Sequence, residues 1–442
     1  MRKELSIKNI LRLTWPAIIS YSTIIFIGII DLLFIRKTGT IAIAIVATAN
    51  SFITGLYQFM EGIKSGTTVL TAKYFGAENK LKISKILNFA LFLALIIGTI
   101  IAILAPILSH AAYYLIGGEK LNHYIYFRYL TIRLYAAPLV LIFYAISGFF
   151  NGLKKTYIPL ILTNIILISN IILNYVLSSL FAITNNYTHT IAQATLYSYI
   201  IGIVFSLLFL FKNKLSKTYL NIKAGFKNIT YEYNRISFEI SIYTGILSLA
   251  LLLFILIFSK LGPQALAIHQ LTFQIFMVAY LIPGGFLVSS SILIGKLFGE
   301  KRNNLIIYAT TKIIAISIII MSILCLILFI FSEPIANFFS PNNLYVARLT
   351  AQSIQIVCAE RIFGTIYMVL RGALIGVEDT KFVAIAGGFT SYFVFLPLTY
   401  IIGFKMNVGV IGGYLAFLIW SMIDCSVFSF RFFVMQRWKS KT

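Results

Sequence analysis

Apolar residues run through this chain in long stretches separated by short polar connections. Ile24 to Ile35 reads IIFIGIIDLLFI, a single acid in an otherwise apolar run. Stretches of this kind lie near residues 11–34, 41–63, 84–110, 125–148, 157–180, 191–212, 237–259, 265–291, 306–332, 347–372, 383–404 and 409–434. Each approaches the ~20 residues that an α-helix needs to cross a bilayer. The pattern predicts an all-α integral membrane protein with twelve transmembrane helices.

The spans repeat. Ser147 to Thr156 reads SGFFNGLKKT and Arg371 to Thr380 reads RGALIGVEDT, 224 positions apart, with Gly148/Gly372, Gly152/Gly376 and Thr156/Thr380 in register. At an offset of 223, Gly39 pairs with Gly262, Ala42 with Ala265, Ala44 with Ala267, Lys73 with Lys296, and Phe75-Gly76 with Phe298-Gly299. Two copies of six spans, running in the same direction, predict two six-helix lobes related by a pseudo-two-fold axis along the membrane normal. The expected division is an N-lobe over 1–212, a cytoplasmic linker over 213–236 and a C-lobe over 237–442. The other connections leave no room for a soluble catalytic domain.

Composition agrees: 60% of residues are hydrophobic and 11% are charged, more apolar than a soluble domain hides. The net charge of +23 changes the picture only once it is sorted by connection. Arg2, Lys3, Lys8 and Arg12 lie at the N-terminus; Lys212, Lys214, Lys217, Lys223, Lys227 and Arg235 lie in the segment 212–235; Arg431, Arg437, Lys439 and Lys441 lie at the C-terminus. The stretch 181–190 has no Lys or Arg. This asymmetry places both termini in the cytoplasm of a multi-pass protein of a bacterial-type inner (plasma) membrane. It accounts for the basicity through topology and anionic lipid, without nucleic acid. The first apolar run is too long for a cleavable signal peptide and carries Asp31. Cys325, Cys358 and Cys425 are isolated in apolar segments, which predicts no disulfide and no zinc site.

No nucleophile elbow, HExxH or GxxxxGK[ST] motif occurs. The chain reads as a non-enzyme with no organic cofactor, driven by an ion gradient if driven at all. Only thirteen Asp and Glu are present, and those inside spans are the sharpest candidates, because a carboxylate in the membrane must be paired, protonated or cation-bound. Asp31 leads; it is neutralised locally by Arg36 or Lys37, or it exchanges a proton or alkali cation. Asn170 and Asn174 share one face of the fifth span at i,i+4, with Asn164 a turn and a half earlier. Their amides complete a cation site with Asp31 or hold helices together. Secondary polar candidates are Asp424, which has no evident partner, Glu61, three residues before Lys64, and His269, a packed histidine or a proton relay. Glu360 adjoins Arg361, and Glu239 lies near an interface.

At this point the residues resemble a known family over the whole chain. Pro16, Asp31 and Gly39-Thr-Ile-Ala-Ile-Ala-Ile-Val-Ala, then Glu61-Gly-Ile-Lys-Ser-Gly-Thr-Thr-Val-Leu-Thr-Ala-Lys-Tyr-Phe-Gly-Ala, resemble the first three spans of multidrug and toxic compound extrusion transporters. So do Gly148-Phe-Phe-Asn-Gly-Leu-Lys-Lys-Thr, Leu261-Gly-Pro-Gln-Ala-Leu-Ala-Ile-His-Gln270 and Gly372-Ala-Leu-Ile-Gly-Val-Glu-Asp-Thr380. The family is part of the multidrug/oligosaccharidyl-lipid/polysaccharide flippase superfamily.

The resemblance implies a central cleft between the lobes, alternating access, and export of organic cations or other amphipathic drugs in exchange for H⁺ or Na⁺ by a monomer in the lipid bilayer. It implies that Asp31, Asn170 and Asn174 form the cation-coupling site, with Na⁺ the only metal. Leu247 and Gly364 stand where some members carry acids, so coupling is expected through the N-lobe. The alternative is a flippase for lipid-linked oligosaccharide or polysaccharide precursors, with Arg133, Arg361 and Arg371 recognising a pyrophosphate. An intramembrane transferase would need clustered acids and histidines, and the four histidines are scattered.

Overall fold

The structure, a computed structural model, describes residues 5–35, 39–115, 122–180, 187–212, 219, 225–226 and 228–441. Among them, twelve helices are long and apolar enough to cross a membrane: α1 (Ile7–Ile35), α2 (Ile41–Gly76), α3 (Lys80–Ile103), α4 (His123–Gly152), α5 (Tyr157–Ser179), α6 (Thr188–Phe211), α7 (Thr230–Lys260), α8 (Pro263–Gly299), α9 (Asn303–Ile330), α10 (Leu344–Gly376), α11 (Thr380–Lys405) and α12 (Gly409–Met435). No strand occurs among the described residues. Short helices at Ala105–Leu115 and Ser332–Phe339 follow α3 and α9, an irregularity present in both copies.

The helices form two compact units, one of Met1–Ile18 with Ile242–Thr442 and the other of Ile19–Ser241. The apolar run starting at residue 237 continues backwards as helix to Thr230. This extension is amphipathic: Tyr233, Ile236 and Ile240 are buried on one stripe, while Glu232 takes 2.7 Å hydrogen bonds from Lys73 Nζ and from the Tyr74 hydroxyl. A hydropathy pattern tuned to spans passes over such a turn.

The repeated glycines do the same work twice. A Cβ on Gly148 would lie 2.4 Å from the carbonyl oxygen of Lys64, and one on Gly152 would lie 2.7 Å from that of Thr68, so α4 and α2 touch backbone to backbone. In the other unit a Cβ on Gly372 would lie 2.4 Å from the oxygen of Leu287 and one on Gly376 3.1 Å from that of Ser291, where α10 crosses α8. Leu287 and Ser291 are Lys64 and Thr68 displaced by 223. Small residues at helix crossings are how membrane helices gain contact without a hydrophobic driving force between them.

The turns repeat as well. Glu78 and Lys301, at φ 55° and 57°, and Lys154 and Glu378, at φ 61° and 60°, take the left-handed conformation just past α2, α8, α4 and α10, and Gly39 and Gly262 have φ 100° and 103°. At all four helix ends three backbone N–H groups turn back onto the last turn, as Asn79 does to Tyr74 (2.9 Å) and Asp379 to Leu374 (2.8 Å).

Proline shapes individual helices. Pro16 and Pro283 lie inside α1 and α8. In α11, π-helical turns at Ser391–Phe395 and Thr399–Lys405 flank the segment holding Pro397. A proline supplies no N–H and crowds the preceding turn, so the ladder shifts register around it. Large apolar side chains stay exposed along the outer faces, as at Ile319, Ile323, Leu326 and Ile330 of α9. Such a surface requires lipid.

Candidate functional site

Asp31 is on a buried stripe of α1. Thr23, Ile27, Asp31 and Ile35, four residues apart, are all buried, while Phe26, Ile29 and Leu33 on the other faces are exposed. The carboxylate is 0% exposed. A carboxylate so placed must be satisfied by neighbouring helices, and α4, α5 and α6 supply the groups.

Asn174 of α5 donates from Nδ2 to Asp31 Oδ1 at 3.0 Å and to Asn170 Oδ1 at 3.1 Å. Asn170 Nδ2 donates to Thr195 Oγ1 of α6 at 3.2 Å, and that hydroxyl lies 3.4 Å from Asp31 Oδ2 and 3.2 Å from the Ile191 carbonyl. Asp31, Asn174, Asn170 and Thr195 thus close a ring. Arg133 of α4 reaches it with Nη1 3.4 Å from Asp31 Oδ2. Of the i,i+4 pair, Asn174 bonds Asp31 directly and Asn170 is linked to it through Asn174 and Thr195. Asn164 does not join them; its amide donates to the Leu160 carbonyl of its own helix at 2.9 Å. Arg36 and Lys37, the local partners of the alternative reading, lie outside the described residues.

A cavity of about 210 Å³ adjoins this ring, with Arg133 and Thr195 on its wall. Tyr21, Tyr144 and Tyr199 face it, as do Glu61 and Lys64 of α2. Glu61 and Lys64 pair at 3.5 Å, and Lys64 Nζ also stands 4.6 Å from the centre of the Tyr21 ring. Among the described residues, the fixed charges of the ring and the cavity wall are two acids, Asp31 and Glu61, and two bases, Arg133 and Lys64, which balance.

The second unit is built differently. Phe254, at the repeat position of Asp31, packs among Phe258, His269, Phe395, Tyr414 and Phe417 with ring centres 4.7–6.0 Å apart. His269 is fully buried there, with Nδ1 3.1 Å from the Tyr414 hydroxyl. Glu360 pairs with Arg361 and accepts 2.9 Å from Ser421; the Arg361 guanidinium lies 4.2 Å over the Phe276 ring. Arg371 lies 4.3 Å over Tyr243, whose hydroxyl bonds that of Tyr367. Asp424 is 1% exposed with no hydrogen-bond partner on either oxygen among the described residues; the nearby Thr390 hydroxyl donates to Gly387. The structure thus brings Asp31, Asn170 and Asn174 into one cluster, sets Glu61 across the adjoining cavity, and leaves His269 and Asp424 in the other unit.

Sequence reasoning left Arg133 and Thr195 out of the cluster. Thr195 carries no signal, one hydroxyl among many in the spans. Arg133 does carry one: an arginine inside a span demands an acid as strongly as Asp31 demands a base, and Asp31 and Arg133 are in the same copy.

The chain matches the MatE family model over residues 16–176 and 240–401. It is 24% identical over 422 residues to the probable multidrug resistance protein NorM of Photorhabdus laumondii, covering 92% of this chain and 90% of that protein. It is 25% identical over 423 residues to the probable multidrug resistance protein NorM of Bacillus subtilis, with coverage of 92% and 90%. A crystal structure of a MATE in a straight conformation superposes with a TM-score of 0.89 at 18% identity, over 98% of this chain and 96% of that one.

Proposed function

Since this chain belongs to the MatE family, a family of membrane transporters and not of enzymes, we propose that it exports amphipathic aromatic drugs, organic cations among them, by exchange for protons at Asp31. The observation that carries the reading is the buried Asp31 carboxylate in its ring of Asn174, Asn170 and Thr195, beside a tyrosine-walled cavity. Multidrug efflux is supported by the NorM relatives; antiport and the choice of ion are our reading of the site.

The electrostatics give the exchange its sign. With Asp31 ionised the walls are neutral, and an organic cation enters without repulsion. A proton on Asp31 leaves the walls at +1; at about 8 Å and an effective dielectric near 20 this costs a bound cation about 2 kcal/mol. Proton and drug are then competing ligands of one unit, which is the differential binding that an exchanger needs. A proton suits Asp31 better than Na⁺ does, because the Arg133 guanidinium already stands as its counter-cation, and a second cation would have to displace it. Asn170 and Asn174 orient the carboxylate in both protonation states. Alternating access, cytoplasmic termini and an inner-membrane location complete the reading, the latter two from the distribution of Lys and Arg.

A pyrophosphate-binding flippase gains no support. Of its three candidate arginines, Arg133 and Arg361 are each matched by a carboxylate, so neither supplies the uncompensated positive charge that a pyrophosphate would seek, and Arg371 stacks over Tyr243.

The test is efflux of a fluorescent organic cation from everted vesicles under an imposed ΔpH or Na⁺ gradient. ΔpH drives it in the wild type, and Asp31→Asn stops it while the protein still inserts. Full efflux by Asp31→Asn would sink the assignment, and efflux driven by Na⁺ alone would replace the proton.

A further inference from the structure

Arg133 faces two places at once. Nη1 is 3.4 Å from Asp31 Oδ2, and the same side chain lines the 210 Å³ cavity. Lys64, the other base on that wall, has its own acid one turn away in Glu61 and keeps it whatever happens at Asp31. Asp31 has Asn174 and Thr195 as further donors, so its proton would take from Arg133 the only carboxylate bonded to it among the described residues while the ring survives. A guanidinium has five N–H donors in a planar fork that suits a carboxylate. A cavity of about 150 Å³ suffices for benzene, so this one takes a single ring with a small polar substituent, and Tyr21, Tyr144 and Tyr199 offer it aromatic surface.

We propose that Arg133 is a recognition group for single-ring aromatic carboxylates in this cavity, and that the ligand's carboxylate and Asp31 compete for its guanidinium. The inference rests on the reading of Asp31 as the group that takes up the proton. Its consequence is a coupling whose sign follows the ligand's charge: a cation and a proton exclude one another, whereas a carboxylate and a proton favour one another and travel in the same direction.

Other ionisable groups face the pair. Tyr57 of α2 lies near Arg133, and Tyr199 of α6 and Tyr129 of α4 lie near both Arg133 and Asp31. Tyrosines stay neutral between about pH 6 and pH 8, and Lys64 stays charged. Glu61 is the acid across the cavity, so it is the control.

The test is fluorescence titration of the purified protein with 2-aminobenzoate and with its uncharged analogue 2-aminobenzamide. The wild type is expected to bind the benzoate about tenfold more tightly at pH 6 than at pH 8, the worth of one charge-assisted hydrogen bond, and the amide equally at both. Asp31→Asn is expected to bind the benzoate tightly at both pH values. Arg133→Gln is expected to lose the preference for benzoate over amide, and Arg133→Lys to recover part of it. Glu61→Gln is expected to keep the pH dependence. A preference that survives Arg133→Gln, a pH dependence that survives Asp31→Asn or disappears in Glu61→Gln, or binding of neither compound overturns the inference. These are equilibrium measurements. A protein that shows this pattern without ΔpH-driven efflux sinks the antiport reading alone, and one that exchanges drug for protons without the pattern sinks this inference alone.

Discussion

Asp31 and Arg133 occupy each other's desolvation cost. A charge buried inside a span is tolerated only with its partner in place, and removing one member strands the other. Arg133→Gln should therefore lower stability by about 3–5 kcal/mol, read as an earlier thermal transition in detergent, while the double variant Asp31→Asn/Arg133→Gln should recover most of that loss. If the double variant falls as far as the sum of the two singles, the pair is not coupled. The acid and the two amides were legible in the sequence because polar side chains are rare inside spans and their i,i+4 spacing sets them on one face. The closing members were not: Thr195 and Arg133 reach the ring from α6 and α4, and a single sequence does not say which helices are neighbours.

At the level of the helix, the crossings of α2 with α4 and of α8 with α10 depend on glycine. Gly148→Ala or Gly372→Ala would drive a methyl to within 2.4 Å of a backbone oxygen, where no flexible side chain can yield. Each is expected to cost about 1–3 kcal/mol. Gly55→Ala, with nothing within 4 Å of the added Cβ, should be neutral or stabilise by up to about 1 kcal/mol through helix propensity. Equal thermal shifts for all three would remove the packing explanation. The repeat offset of 224 read from the sequence pointed to these glycines, and the backbone oxygens that they approach repeat at 223, the offset of the upstream set. The start of α7 at Thr230 was hidden because its buried stripe is only partly apolar, with Tyr233 hydrogen-bonded to Thr67 at 2.9 Å. The π-helical turns around Pro397 were hidden too: a proline in a span predicts a bend but not how the ladder absorbs it.

For the whole molecule, twelve spans and the distribution of Lys and Arg predict which connections face inward. In a variant whose three native cysteines are replaced by serine, Asn342→Cys should react with a membrane-impermeant maleimide in intact cells, and Lys381→Cys should react only after the membrane is opened. Both positions are exposed on the protein surface, so burial does not account for a silent site. Labelling in the opposite order would invert the topology. The left-handed corners at Glu78, Lys154, Lys301 and Glu378 bear on how the chain enters the bilayer. Each belongs to a connection of three or four residues, 77–79, 153–156, 300–302 and 377–379, tied back onto the preceding helix by its own N–H groups. Chain this short has no slack. The helix after each corner cannot wait in water while its predecessor settles in lipid, so the two must leave the insertion machinery together, as a preformed hairpin.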